Sequence, residues 1–313
     1  MTTIKNLVKD IGPISKKTVA AWWEADPFRQ SAVVAYYAIF SMPALLVIII
    51  ASAGLFFGRE AVNGQISAQI GAAVSEDAAK QIEEIIAKAS ERENSIIATI
   101  ISIITLILGA TAVFGQLQIT LNQIWEVKVN AKKKWMKLLK DRLFSFGLII
   151  SIGFLLLVSL LLTTALAAFS EWIKNRLPDF MLFVFQALNF ILSLGVISVL
   201  FALMFKILPD AKIRWKNIWI GAVVTAVLFI IGKFGLGIYF GKAQPGSTYG
   251  AAGSIILIML WVSYSCMIVF LGAEFTKQYT VYKEGKIEPK SDAELIEPDE
   301  NKKIIKEKRK ATE

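Results

Sequence analysis

Six stretches of this chain run for more than twenty residues with almost no charge: about Ala32–Phe57, Ser95–Leu121, Leu143–Phe169, Phe180–Phe205, Ile218–Phe240 and Ala251–Ala273. A soluble core has no room for six such runs. About 20 apolar residues at a rise of about 1.5 Å each cross a hydrocarbon layer of about 30 Å. Only helices and closed barrels satisfy their own backbone groups there, and runs of this length fit helices. The expected fold is therefore an all-α polytopic membrane protein with six transmembrane helices. The last two runs are held apart by Gln244-Pro245-Gly246-Ser247, a turn signal.

The 34 Lys and Arg residues leave a net charge of +9, and their distribution is one-sided. Five fall in the N-terminal arm, seven in the 122–142 loop, four in the 206–217 loop and ten after residue 273. Cytoplasmic segments beside a membrane carry such an excess, so both termini are expected in the cytoplasm. The basic charge then serves topology and attraction to anionic headgroups. Membrane lipids are the expected partner, and nucleic acid is not. The first 30 residues hold no long apolar run ahead of a small-residue cleavage site, so no removable signal peptide is expected.

Three regions follow from this pattern. Residues 1–30 form a cytoplasmic or interfacial segment, in which Ile4, Leu7, Val8 and Ile11 make an apolar stripe ahead of Trp22-Trp23. Residues 31–280 hold the six spans and a long extracytoplasmic loop, 58–94. There Ile66, Ile70 and Val74, then Ile82, Ile85, Ile86 and Ala89, recur at helical spacing among acids, which suggests an amphipathic helical cap. Residues 281–313 alternate charges of both signs and read as a loose cytoplasmic tail.

Chemistry is constrained mostly by what the chain lacks. It has no histidine and one cysteine, Cys266, which removes imidazole bases, disulfides and the usual zinc frameworks. No cofactor, metal or catalytic residue is expected, and the chain does not read as an enzyme. Near residue 240 glycine is dense, but the phosphate-loop pattern would need glycine where Leu236 stands, and the dinucleotide pattern would need it at Phe240. What remains is Gly237-x-x-x-Gly241 and Gly246-x-x-x-Gly250, spacings that bring helices together or let one unwind beside a cavity.

One charge stands inside a span. Lys233 lies about 15 residues into the fifth run, where a cation costs roughly 2.5–3.5 kcal/mol on insertion scales. It either faces a cavity and attracts an anion, or snorkels towards the outer headgroups. Tyr36, Tyr37 and Ser41 precede Pro43 in the first run, and Tyr249 sits in the last outer loop. With Lys233 these hydroxyls are the candidate substrate-lining residues. Pro43 removes a backbone hydrogen bond and is a candidate hinge, beside Gly237, Gly241 and Gly250. Glu274 closes the sixth run, where the helix dipole disfavours an acid unless a cation such as Lys277 pairs with it. Gln116, Gln118, Asn122 and Asn189 read as interhelical hydrogen-bonding groups.

The ordered combination of "SAVVAYYAIFSMPALLV", "ILPDAKIRWKNIWIGAVV" and "STYGAAGSIILIMLWVSYSCMIVFLGAEF" resembles the YihY/BrkB family of bacterial inner-membrane proteins, over roughly residues 20–280. The resemblance implies a polytopic protein of the bacterial inner (plasma) membrane with a suspected transport role. It also brings historical virulence-factor and ribonuclease labels. A ribonuclease needs a metal-holding carboxylate cluster or a histidine pair, and neither pattern is present. The expected function is a transporter or flippase-like protein for an amphipathic or anionic substrate. The alternative is a non-transporting scaffold whose envelope-protein partners would bind the 58–94 cap and the tail.

Overall fold

The computed structural model describes residues 2–57, 63–64, 66–68, 71, 79–80, 83–84, 96–129, 179–243 and 253–296. Helices dominate: α1 (Thr2–Glu24), α2 (Pro27–Phe57), α3 (Ile96–Ile124), α4 (Asp179–Ile207), α5 (Trp215–Ala243) and α6 (Gly253–Glu284). Among the described residues four short strands accompany them, β1 (Val127–Val129), β2 (Ala211–Lys212), β3 (Glu288–Pro289) and β4 (Ala293–Leu295). Five of the six expected runs are thus helical, and the third, 143–169, lies outside the described residues. The described residues of the 58–94 loop are also helical. Three helical stretches among the described residues are long and apolar enough to cross a membrane: Ala187–Ile207, Trp215–Lys242 and Ile255–Glu284. Their surfaces expose large apolar side chains such as Phe190, Ile191 and Leu260, the solvent preference of a helix in lipid.

The chain divides into two units. Unit 1 comprises residues 1–25, 119–230 and 269–313, and unit 2 comprises 26–118 and 231–268.

Unit 1 is held by helix contacts capped with strands. Gly221 and Gly272 are each buried where α5 meets α6: a Cβ on Gly221 would collide with the Thr276 side chain, and one on Gly272 with Thr225. The two threonines donate their hydroxyls backwards along their own helices, Thr225 to the Gly221 carbonyl and Thr276 to the Gly272 carbonyl, each at 2.7 Å. Each Gly-x-x-x-Thr thus presents a floor and a knob to the other. Such small-residue faces are how helices associate in lipid, where burial of apolar surface gives no drive.

The expected interfacial helix α1 is not only a surface element. Its Ile14 is buried with Phe275 and Tyr279 of α6, with Ile220 and Val224 packed alongside. Its outer side exposes Val19 and Trp23, as an interfacial helix would.

The tail departs from the loose segment expected of residues 281–313. α6 runs on to Glu284 and ends at Gly285, whose φ of +79° is the left-handed cap that glycine adopts without strain. The chain then pairs antiparallel with two distant loops: β3 with β2 (Lys212↔Glu288) and β4 with β1 (Val129↔Ala293). The all-α expectation is corrected to this extent. A composition rich in charge suppresses an isolated fold, but here the partners are backbone edges supplied by the bundle. Residues 297–313 lie outside the described set.

Candidate functional site

The sixth span's acid is buried rather than interfacial. Glu274 is 2% exposed and accepts a hydrogen bond from Gln278 Nε2 at 2.7 Å. Lys277 Nζ stands 3.8 Å from Glu274 but closer, 3.1 Å, to Glu126 Oε1. The i+3 pairing expected from sequence is therefore present, yet Lys277 is shared with a residue of the α3–β1 turn. Glu126 itself has a φ of 55°, unusual for a residue with a side chain. It is fixed from two sides: its carboxylate takes Lys277, and its carbonyl accepts the Ile296 amide at 2.8 Å.

A second buried acid lies in the same unit. Asp210, 4% exposed, accepts from Asn122 Nδ2 at 2.8 Å, while its own amide donates to Asn122 Oδ1 at 2.7 Å. The Asp210 carbonyl accepts the Lys290 amide at 2.8 Å, and Lys290 Nζ reaches the Ile207 carbonyl at 3.3 Å. The segment 285–296 therefore straps the end of α3 and the α4–α5 turn through two acids that are themselves bonded inside the unit. Asn122 was legible as a hydrogen-bonding group, but Asp210, Glu126 and the strap were not singled out.

Unit 2 contains the other candidates. Lys233 is exposed on α5, flanked by Ile231 at 64% and Phe234 at 74% exposure, with Ile238 and Tyr239 exposed beyond. Tyr36 and Tyr37 are exposed on α2, their rings 5.7 Å apart, and Phe40 lies 4.9 Å from Tyr36. Ser41 is buried against Gly109, where no Cβ would fit, and its hydroxyl donates to the Ala38 carbonyl at 3.0 Å. Pro43 falls within α2, with its side chain outside the described set. Tyr249 and Gly250 also lie outside the described residues.

Among the described residues nothing lies within 4 Å of where a Cβ on Gly237 or Gly241 would stand, and the same holds for Gly235. The tight position nearby is Gly232, against which the Tyr264 side chain lies. Interhelical polar contacts are present elsewhere in unit 2, where Gln116 Nε2 donates to Gln30 Oε1 at 3.0 Å and the Ser31 and Ser263 hydroxyls meet at 3.0 Å. Asn189, in unit 1, has a buried Oδ1 with no hydrogen-bond partner among the described residues.

The sequence model of the family described as Virulence factor BrkB matches residues 18–295. Among curated proteins, the chain is 30% identical over 181 residues to a UPF0761 membrane protein of Tolumonas auensis, covering 57% of this chain and 56% of that one. It is 31% identical over 173 residues to a UPF0761 membrane protein of Verminephrobacter eiseniae, covering 55% and 39% respectively. A UPF0761 membrane protein of Stenotrophomonas maltophilia is 22% identical over 269 residues, 83% of this chain and 59% of its own. The matches thus span about half the length of these relatives. No solved structure matches.

Proposed function

We propose that this chain, which belongs to the virulence factor BrkB family of membrane proteins, admits and moves an anionic amphipathic substrate, lipid-like in character, along the exposed face of α5. The observation that carries this reading is Lys233, a cation open to its surroundings between Ile231 and Phe234. A fixed cation in hydrocarbon is costly, and a phosphate or carboxylate brought to it offsets that cost. A water-soluble anion would require an enclosed wet cavity. A lipid reaches an open helix face from within the bilayer.

The rest of the reading takes six spans and cytoplasmic termini from hydropathy and charge, and a bacterial inner membrane from the family resemblance. The sequence contains no phosphate-binding loop, so movement is passive, ion-coupled or driven by a partner. The test is reconstitution into liposomes carrying a trace of headgroup- or chain-labelled phosphatidylglycerol, or the same label on phosphatidylcholine. Faster leaflet exchange of the anionic lipid than in protein-free liposomes supports the reading. Exchange at the protein-free rate for both lipids overturns it.

A further inference from the structure

The first half of α5, wholly within unit 1, carries a second exposed surface of different character. Trp215, Trp219, Val223 and Val227 recur every four residues and are all exposed. At about 1.5 Å per residue they form a slowly winding stripe about 18 Å long, close to the depth of one leaflet of a hydrocarbon core of about 30 Å. Three exposed cations stand at its head: Lys212, Arg214 and Lys216.

The local contacts leave this head cationic. Lys206 Nζ donates to the Ile213 carbonyl at 2.6 Å and lies 5.6 Å from the centre of the Trp215 ring, which orients the indole. Glu288 stands opposite Lys212 across the β2–β3 pair. Glu284 Oε1 is 3.6 Å from Arg214 Nε, but it already accepts Asn217 Nδ2 at 2.8 Å, and the Arg214 side chain remains 79% exposed. Arg214 and Lys216 therefore project from the positive end of the α5 dipole with room for an anion.

We infer that this surface is a binding site for one anionic phospholipid of the inner leaflet. Arg214 and Lys216, with Lys212, hold the headgroup phosphate, Trp215 lies at the glycerol level, and an acyl chain runs along Trp219, Val223 and Val227. The two chemistries occur in the order a lipid needs, charge first and then an apolar track of one chain's length. This site differs from Lys233 in its residues, and it does not require that anything be transported.

The test uses the full chain, delipidated in detergent and titrated with dioleoylphosphatidylglycerol or dioleoylphosphatidylcholine, with binding read by native mass spectrometry and thermal shift. The wild type is expected to retain the anionic lipid selectively. The triple variant Lys212→Gln/Arg214→Gln/Lys216→Gln is expected to weaken it on the order of 100-fold, from three cations near a headgroup. Arg214→Gln alone, at a largely exposed side chain, gives a smaller loss with the fold intact. A charge-matched control, Lys16→Gln/Lys17→Gln/Lys242→Gln, is expected to leave binding unchanged. Equal loss in the control, or no preference over phosphatidylcholine, overturns the site. Saturable binding of inorganic phosphate that displaces the lipid overturns the assignment to a lipid.

Discussion

Thr225 of α5 occupies the space that a Cβ on Gly272 of α6 would need, and Thr276 stands in the same relation to Gly221. The contact is reciprocal, so its removal from either side should have similar consequences. Gly272→Ala is expected to lower the stability of the detergent-solubilised protein by about 1–3 kcal/mol, the usual cost of overpacking. Adding Thr225→Gly should recover part of that loss, giving a clear non-additive coupling in a double-mutant cycle. Additive effects in thermal or denaturant unfolding would mean that the two residues do not touch.

Lys277 compensates a carboxylate that is almost fully buried. Lys277→Met should therefore cost more than an exposed ion pair would, about 1–3 kcal/mol, because the buried Glu274 and the nearby Glu126 both lose their cation. Glu274→Gln keeps an acceptor for Gln278, and combined with Lys277→Met it should restore much of the loss. The check is the order of unfolding midpoints: single Lys277→Met lowest, double variant higher.

Asn122 exchanges two hydrogen bonds with Asp210. Asn122→Ala strips partners from a buried carboxylate and a buried amide, an expected loss of about 1–3 kcal/mol. Asn122→Asp should be at least as damaging, since it replaces a donor by a second carboxylate facing Asp210. Midpoints for the two variants, compared with wild type, decide the matter.

The strap is testable through its register. Val129 and Ala293 are direct cross-strand partners, a separation that a disulfide can close. Val129→Cys/Ala293→Cys should cross-link under mild oxidation, whereas Val129→Cys/Lys286→Cys should not. The native Cys266 is buried and does not compete. A shift in gel mobility, reversed by reductant, reads the result.

Hydropathy alone located the long apolar helices, because their signal is simply length without charge. It missed where they stop. α6 continues from Ala273 to Glu284 and α5 begins at Trp215, ahead of the apolar run. The α6 extension packs Phe275 and Tyr279 against Ile14 of α1. The strap was illegible for a related reason: strands of two or three residues have no alternation to read, and β1 pairs with a segment more than 150 residues away. Glycine spacing did not point to the close contacts described: Gly237 and Gly241 match the packing motif but meet no described neighbour within 4 Å, while Gly221 and Gly272 lie against threonines of the facing helix.

The central claim is that the charge of Lys233, open on α5, selects an anionic amphipath. The most direct measurement is the ratio of leaflet-exchange rates for labelled phosphatidylglycerol and phosphatidylcholine in liposomes containing wild type, Lys233→Arg, Lys233→Gln or Lys233→Glu. The expected result is a ratio above one for wild type and Lys233→Arg, near one for Lys233→Gln, and below one for Lys233→Glu. A ratio that does not move across this series would contradict the claim.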